Sequence, residues 1–305
     1  MKISITYLYT IFRYGYPPDF KDDLKALSEI QKLGFHYLEM EGLGQRHLQS
    51  VHQNRVQLLS ALNDCDLHVH NFCVVDPDLV SARQVRFDRA LDRFKLAAEL
   101  GDFLGAGTLH LASYAPPVHY LGGRPYQLDN DAGYTFANHS RIHIPPKFEW
   151  DHVWGRLVRS CQSCADIAAQ HGKTVIMEPR VGEVICSVDS LLRLIEHVGR
   201  MNFKANFDTA HFSAQRENVP LALMKLKGKF ANIHIADNNP VNTEHLPLGD
   251  GIIDWREFFR ILKTLHYDGY LGLDLGNTKS LVQAYRRSLD RVKALASDLK
   301  FKVEI

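Results

Sequence analysis

Phe230-Ala-Asn-Ile-His-Ile-Ala236, Asp254-Trp-Arg-Glu257 and Tyr270-Leu-Gly-Leu-Asp-Leu275 are three runs within one passage, 230–275, whose reading decides the fold. In the first run Ile233 and Ile235 share one face and Asn232 and His234 the other, the period-two pattern of a strand. Asp254-Trp-Arg-Glu257 reads as a capping box. Trp255, Phe258, Phe259, Leu262 and Leu265 then follow at helical spacing. In the third run Leu271, Leu273 and Leu275 share a face, leaving Asp274 on the opposite one. Strand, helix and strand in this order make a parallel pair joined by a helical crossover.

The same unit recurs along the chain. Strands are expected at 3–9, 35–41, 67–73, 106–112, 173–178, 203–208, 230–236 and 269–275, each followed by a helical stretch. Phe20, Leu24, Leu27 and Ile30 mark the first helix, and Leu281, Tyr285, Leu289, Val292 and Leu295 the last. Ser187 and Thr278 read as further N-caps. Eight such units in 305 residues predict a single (β/α)8 TIM barrel domain over 1–305. An open doubly wound sheet is the alternative, but no G-x-G-x-x-G follows the first strand. Residues 114–149 break the rhythm. They hold five of the 12 prolines together with Tyr114, Tyr120, Tyr126, Tyr134, Phe136 and Phe148. So aromatic a stretch is expected as an ordered insertion at the barrel mouth, either a lid or an oligomer contact.

Thirty-six basic against 35 acidic residues give a formal charge of +1, which argues against a nucleic-acid or membrane-surface protein. No apolar run approaches the length of a membrane span, and the start lacks signal-peptide features, so a cytoplasmic protein is expected. The five cysteines do not suggest a disulfide framework; Cys161 and Cys164 read as small apolar residues on a helix face.

Parity along the strands carries the functional signal, because the last inward residue of a barrel strand lies at the mouth. It points Glu41, His68, His70, His110, Asp208, His234 and Asp274 inward. Glu178 ends Lys173-Thr-Val-Ile-Met-Glu178, a run too apolar for parity to decide, and Glu178 with all of these but His68 is expected on one rim. Carboxylates and imidazoles crowded in one layer are costly to bury without a compensating ion. Glu178, Asp208, His234 and Asp274, from four successive strands, therefore make a candidate metal site. Three carboxylates and one imidazole suit Mn²⁺ first, with Mg²⁺, Co²⁺ or Zn²⁺ also compatible. Gly249-Asp-Gly251 before a helix reads either as an anion seat or as a turn.

Val175-Ile-Met-Glu-Pro-Arg180, Asn206-Phe-Asp-Thr-Ala-His211, Asn232-Ile-His-Ile-Ala-Asp237, Pro247-Leu-Gly-Asp-Gly-Ile-Ile-Asp-Trp255 and Tyr267-Asp-Gly-Tyr-Leu-Gly-Leu-Asp274 together resemble the xylose-isomerase-like barrel superfamily. Within it they look like the sugar phosphate isomerase/epimerase family. The match is dense from about 170 to 280 and looser over the first half. The resemblance implies a divalent metal held by Glu178, Asp208, His234 and a fourth residue. That fourth position reads Asp274, one methylene shorter than the family's usual Glu. It further implies that Glu178 and Asp274 exchange protons with the substrate and that His211 contacts substrate oxygen. Arg180, Glu41, His70, His110, His143 and His245 complete the expected substrate-binding set.

The activity implied is a divalent-metal-dependent isomerisation or epimerisation of a sugar or sugar-like molecule. A proton is removed beside a carbonyl and a metal-stabilised enediolate forms. A metal-dependent lyase on a keto-sugar is the alternative, of the inosose dehydratase, 3-dehydroshikimate dehydratase or C-glycoside-cleaving type. In it His119, His139 or His143 of the insertion would act as acid or base. An abasic-site endonuclease is the third reading, but it lacks a basic stripe and has Thr243 where that branch has Asp. The expected partner is a small carbohydrate, polyol or keto acid, with no nucleic acid and no membrane, in a homo-oligomer or beside a partner subunit.

Overall fold

The computed structural model describes residues 1–121, 141–239, 244–276 and 278–305. Eight parallel strands close into a barrel: β1 (Lys2–Ile5), β2 (Tyr37–Leu43), β3 (His68–Val75), β4 (Thr108–Ala112), β7 (Thr174–Glu178), β8 (Phe203–Asp208), β9 (Phe230–Ile235) and β10 (Tyr270–Leu273). Their order around the barrel is β1-β10-β9-β8-β7-β4-β3-β2. A two-residue ribbon, β5 (His119–Tyr120) with β6 (Ile142–His143), lies in the expected insertion. The part of that insertion carrying Tyr126, Tyr134, Phe136 and His139 lies outside the described residues.

The helices cover the barrel as the periodicity requires. On α10 (Trp255–Thr264) Phe258, Phe259 and Leu262 are fully buried against the outward faces of the strands. Burial of each is worth about 2 kcal/mol. Asp254 caps that helix, its carboxylate accepting the Glu257 N–H at 3.0 Å. Ser187 and Ser190 form a reciprocal capping box at α7 (Val188–Val198). The last helix, α11 (Leu281–Leu299), starts later than Thr278 predicts; the Thr278 hydroxyl instead accepts from Ser280 N–H. Cys161 and Cys164 are buried on α6 (Trp150–Gln170), and all five cysteines are free thiols.

Two strand readings are corrected. The first strand ends at Ile5 rather than residue 9, and Leu8–Tyr14 forms helix α1. Tyr7 and Tyr9 turn out of the strand path because their hydroxyls find acids on α2 (Phe20–Leu33), Tyr9 donating to Glu29 at 2.7 Å and Tyr7 to Asp23. In β3 the register against β2 passes from Leu38↔Val69 to Glu39↔Asn71, leaving His70 as an extra residue. This bulge re-aims the rest of the strand. Asn71, Cys73 and Val75 now face inward, while His68 is an exposed residue at the strand start. A second bulge leaves Ala231 unpaired between β8 and β9.

Candidate active site

Each functional side chain is placed by the last turn of its strand. Asp208 ends β8 and also caps α8 (Thr209–Ala214), accepting the His211 N–H on Oδ1 at 2.8 Å. That cap leaves Oδ2 facing His234 Nδ1 at 3.7 Å. Glu178, at the end of β7, accepts from Asn206 Nδ2 (2.9 Å) and Arg180 Nε (3.0 Å), and its Oε1 lies 2.9 Å from His234 Nδ1. Below them Glu39 accepts from Asn71 Nδ2 (2.8 Å) and Asn232 Nδ2 (2.9 Å), and meets His234 Nε2 at 3.1 Å.

His234 is thus an imidazole between carboxylates on both of its nitrogens. Burial would push its pKa down, but Glu39, Asp208 and Glu178 raise it well above the usual histidine value. Burial would likewise raise Glu178 and Glu39; for Glu178 the charges of His110, His234 and Arg180, and for Glu39 those of His234, His70 and His110, hold the carboxyl low instead. His110 and His211 are driven toward the neutral form by burial, His211 to about 4.

The chemistry of these donors fits a divalent cation. Glu178, Asp208 and His234 offer ligand atoms that all lie within 4.8 Å of one another. Among the described residues Asp208 Oδ2, His234 Nδ1 and His110 Nε2 are buried without a hydrogen-bond partner. Nδ1 thus comes to 2.9 Å from Glu178 without the alignment of a hydrogen bond. Two further groupings are close enough to ligate, Glu39 with His110 and His234, and Asp208 with His211 and His245.

Asp274 joins none of these groupings. Its Oδ1 accepts from Thr6 Oγ1 at 2.6 Å and its Oδ2 meets His245 Nδ1 at 2.9 Å, on the cavity wall. That bond, against the burial that opposes it, lifts His245 to about 9. His211 and His245 pack edge to face at 5.0 Å behind the wall. His70 lies below the rim, stacked on Tyr270 at 3.9 Å and bonded to Ser4 Oγ at 2.9 Å. His143 is exposed on the β5–β6 ribbon, opposite His119.

Glu41, His110, Glu178, Arg180, His234 and Asp274 line one cavity of about 60 Å³ with Thr6, Tyr7, Tyr16 and Cys73. Burial first, and the Glu178 and Asp274 charges after it, push the Glu41 carboxyl up to about 7 despite Arg180 and His47. The residue that sequence reading missed is Glu39. The parity that turns Leu38 and Met40 outward sends Glu39 inward along with Glu41, so the signal was present. The anion-seat reading of Gly249-Asp-Gly251 is also settled. Gly249 N–H and Ile253 N–H donate to the Asp237 carboxylate (2.8 and 3.1 Å), so these amides serve the turn.

Residues 27–295 match the xylose isomerase-like TIM barrel family, and the chain belongs to it. It is 28% identical over 178 residues to a fructoselysine 3-epimerase of Shigella flexneri, covering 54% of this chain and 61% of that protein. The match therefore spans about three-fifths of that relative. An L-ribulose-5-phosphate 3-epimerase of Salmonella heidelberg is 23% identical over 256 residues, covering 82% of this chain and 79% of that one. The crystal structure of a D-tagatose 3-epimerase-like protein superposes with a TM-score of 0.73 at 17% identity, covering 98% of both chains, a likeness of fold.

Proposed function

We propose that this chain is a metal-dependent epimerase of a keto-sugar, removing and returning a proton at the carbon beside the carbonyl. The observation that carries the reading is the grouping of Glu178, Asp208 and His234, of which Glu178 and His234 line a small cavity that Glu41 and Asp274 also face. Sugar 3-epimerase relatives support it. Glu178, Asp208 and His234 would hold the ion. A divalent ion there polarises a carbonyl oxygen and stabilises the charge that develops on it, with Mn²⁺ the first choice for these donors.

The chain's own residues supply the proton chemistry. Glu178 is held ionised by His110, His234 and Arg180 and can accept the proton. Both β2 and β10 are three strands from β7 around the barrel, so Glu41 and Asp274 face the cavity from other sides than Glu178. Glu41, its carboxyl pushed up to about 7, retains a proton near neutrality and can return it to the other face of the carbon. Arg180, bonded to Glu178 at 3.0 Å, orients that base.

Solvent exchange tests the proposal. With metal-replete enzyme in deuterium oxide, a panel of keto-sugars should acquire deuterium beside the carbonyl. Glu178→Gln should slow this by about 10²–10⁴-fold, the usual worth of a positioned base. Exchange that survives Glu178→Gln unchanged would sink the assignment.

A further inference from the structure

The cavity holding Glu178 has room for few atoms, about 60 Å³. Through Tyr16, Val75 and Arg180, which line both, it adjoins an outer compartment of about 780 Å³. Pro116, Pro117 and Val118 from the start of the insertion form part of the outer wall. The outer space is of the size that holds a whole small-molecule ligand, whereas the inner one takes only a reacting end.

Its charge is one-sided. Among the described residues, Arg86, Arg156 and Arg180 face it against a single carboxylate, Glu183. Arg180 is committed to Glu178 at 3.0 Å, and Arg86 lies 3.8 Å from Asp78. Arg156, on α6, differs: among the described residues it makes no ion pair, and its Nε is buried without a hydrogen-bond partner. The Tyr114 hydroxyl on the same wall is also buried and unpartnered among the described residues. Unsatisfied buried donors of this kind are costly, and an acceptor from a ligand would relieve both.

We propose that the outer compartment binds the far end of the substrate and that this end is anionic, a phosphoester or a carboxylate held by Arg156. This rests on the epimerase reading, in which the keto end occupies the inner cavity. A guanidinium recognises both anions through paired, charge-assisted hydrogen bonds.

The test compares three ketoses that differ only at the far end: neutral, phosphorylated, or oxidised to a carboxylate. Deuterium exchange is followed in the metal-replete wild type, Arg156→Met and Arg156→Lys, with circular dichroism confirming that each variant is folded. An anionic ketose should show kcat/KM at least about tenfold above the neutral one. That preference should vanish in Arg156→Met and partly return in Arg156→Lys, with the neutral ketose unaffected. Which charged ketose is preferred separates phosphoester from carboxylate. A neutral ketose that matches both charged ones, or a preference untouched by Arg156→Met, overturns the proposal. If no ketose exchanges, calorimetric titration with the phosphorylated ketose decides. Binding lost in Arg156→Met but kept in Glu178→Gln upholds the anion site and rejects the epimerase reading; no binding rejects the site.

Discussion

At the residue scale, Glu39 and His234 behave as one unit. Glu39 holds His234 Nε2 at 3.1 Å and is itself fixed by Asn71 and Asn232, so the imidazole can only present Nδ1 upward to Glu178 and Asp208. Carboxylates that orient a ligating histidine from behind tune the site as much as the ligands do. With its pKa raised, His234 carries a proton at neutral pH that a metal held there, as proposed, would have to displace. Metal binding should therefore release a proton and tighten as pH rises, which titration calorimetry in two buffers of different ionisation enthalpy reads directly. Glu39→Gln removes one of the charges that hold this proton. It should release fewer protons and bind metal about 10–100-fold more weakly. An unchanged affinity would make Glu39 a bystander.

At the scale of elements, the loop between β9 and α10 is organised by one buried carboxylate. Asp237 accepts from the N–H groups of Asn238, Gly249 and Ile253 and from Trp255 Nε1, tying the strand end to the first turn of the helix. Gly251 is required there because a Cβ would lie 2.3 Å from Asn238 O and from Asp237 Oδ1. Both obstacles are fixed by the fold, so Gly251→Ala must displace the loop. We expect a loss of about 2–3 kcal/mol in urea unfolding, in the range of overpacked sites. A loss under 0.5 kcal/mol would show a loop free to move. The turn motif was legible in the sequence, but that Asp237 occupies its amides was not, since the two lie over ten residues apart.

At the scale of the whole molecule, closure sets the acid stability. Leu271 of β10 pairs with Ile3 of β1, and the C-terminal segment returns to the same end, where Glu304 bridges to Lys2 and Phe301 stacks on Phe259. His70 is enclosed within the barrel beside Tyr270, and burial lowers its pKa to about 4 against the opposing pull of Glu39. The unfolded chain takes up a proton near pH 6.5 that the folded chain refuses until about 4. Stability from this group is therefore complete above pH 6.5 and is lost as pH falls toward 4. Between pH 7.5 and 5, metal-free His70→Gln should lose about 2 kcal/mol less than the wild type in urea melts. Equal losses would place the acid sensitivity elsewhere.

The sequence alone determined the eight-unit parallel barrel, because strand and helix periods are local and each apolar face has to be buried against a neighbouring layer. It also determined that Asp208 and His234 face inward at strand ends, since alternation along a strand is a property of the backbone; Glu178 closes an apolar run where alternation alone does not decide. Only the tertiary structure decided which inward residues meet. The bulge at His70 moved that residue below the rim and turned Asn71 and Cys73 inward. Thr6 and His245, from opposite ends of the chain, drew the Asp274 carboxylate to the wall. Register across strands, and competition among partners distant in sequence, are settled by packing, and no local pattern records them.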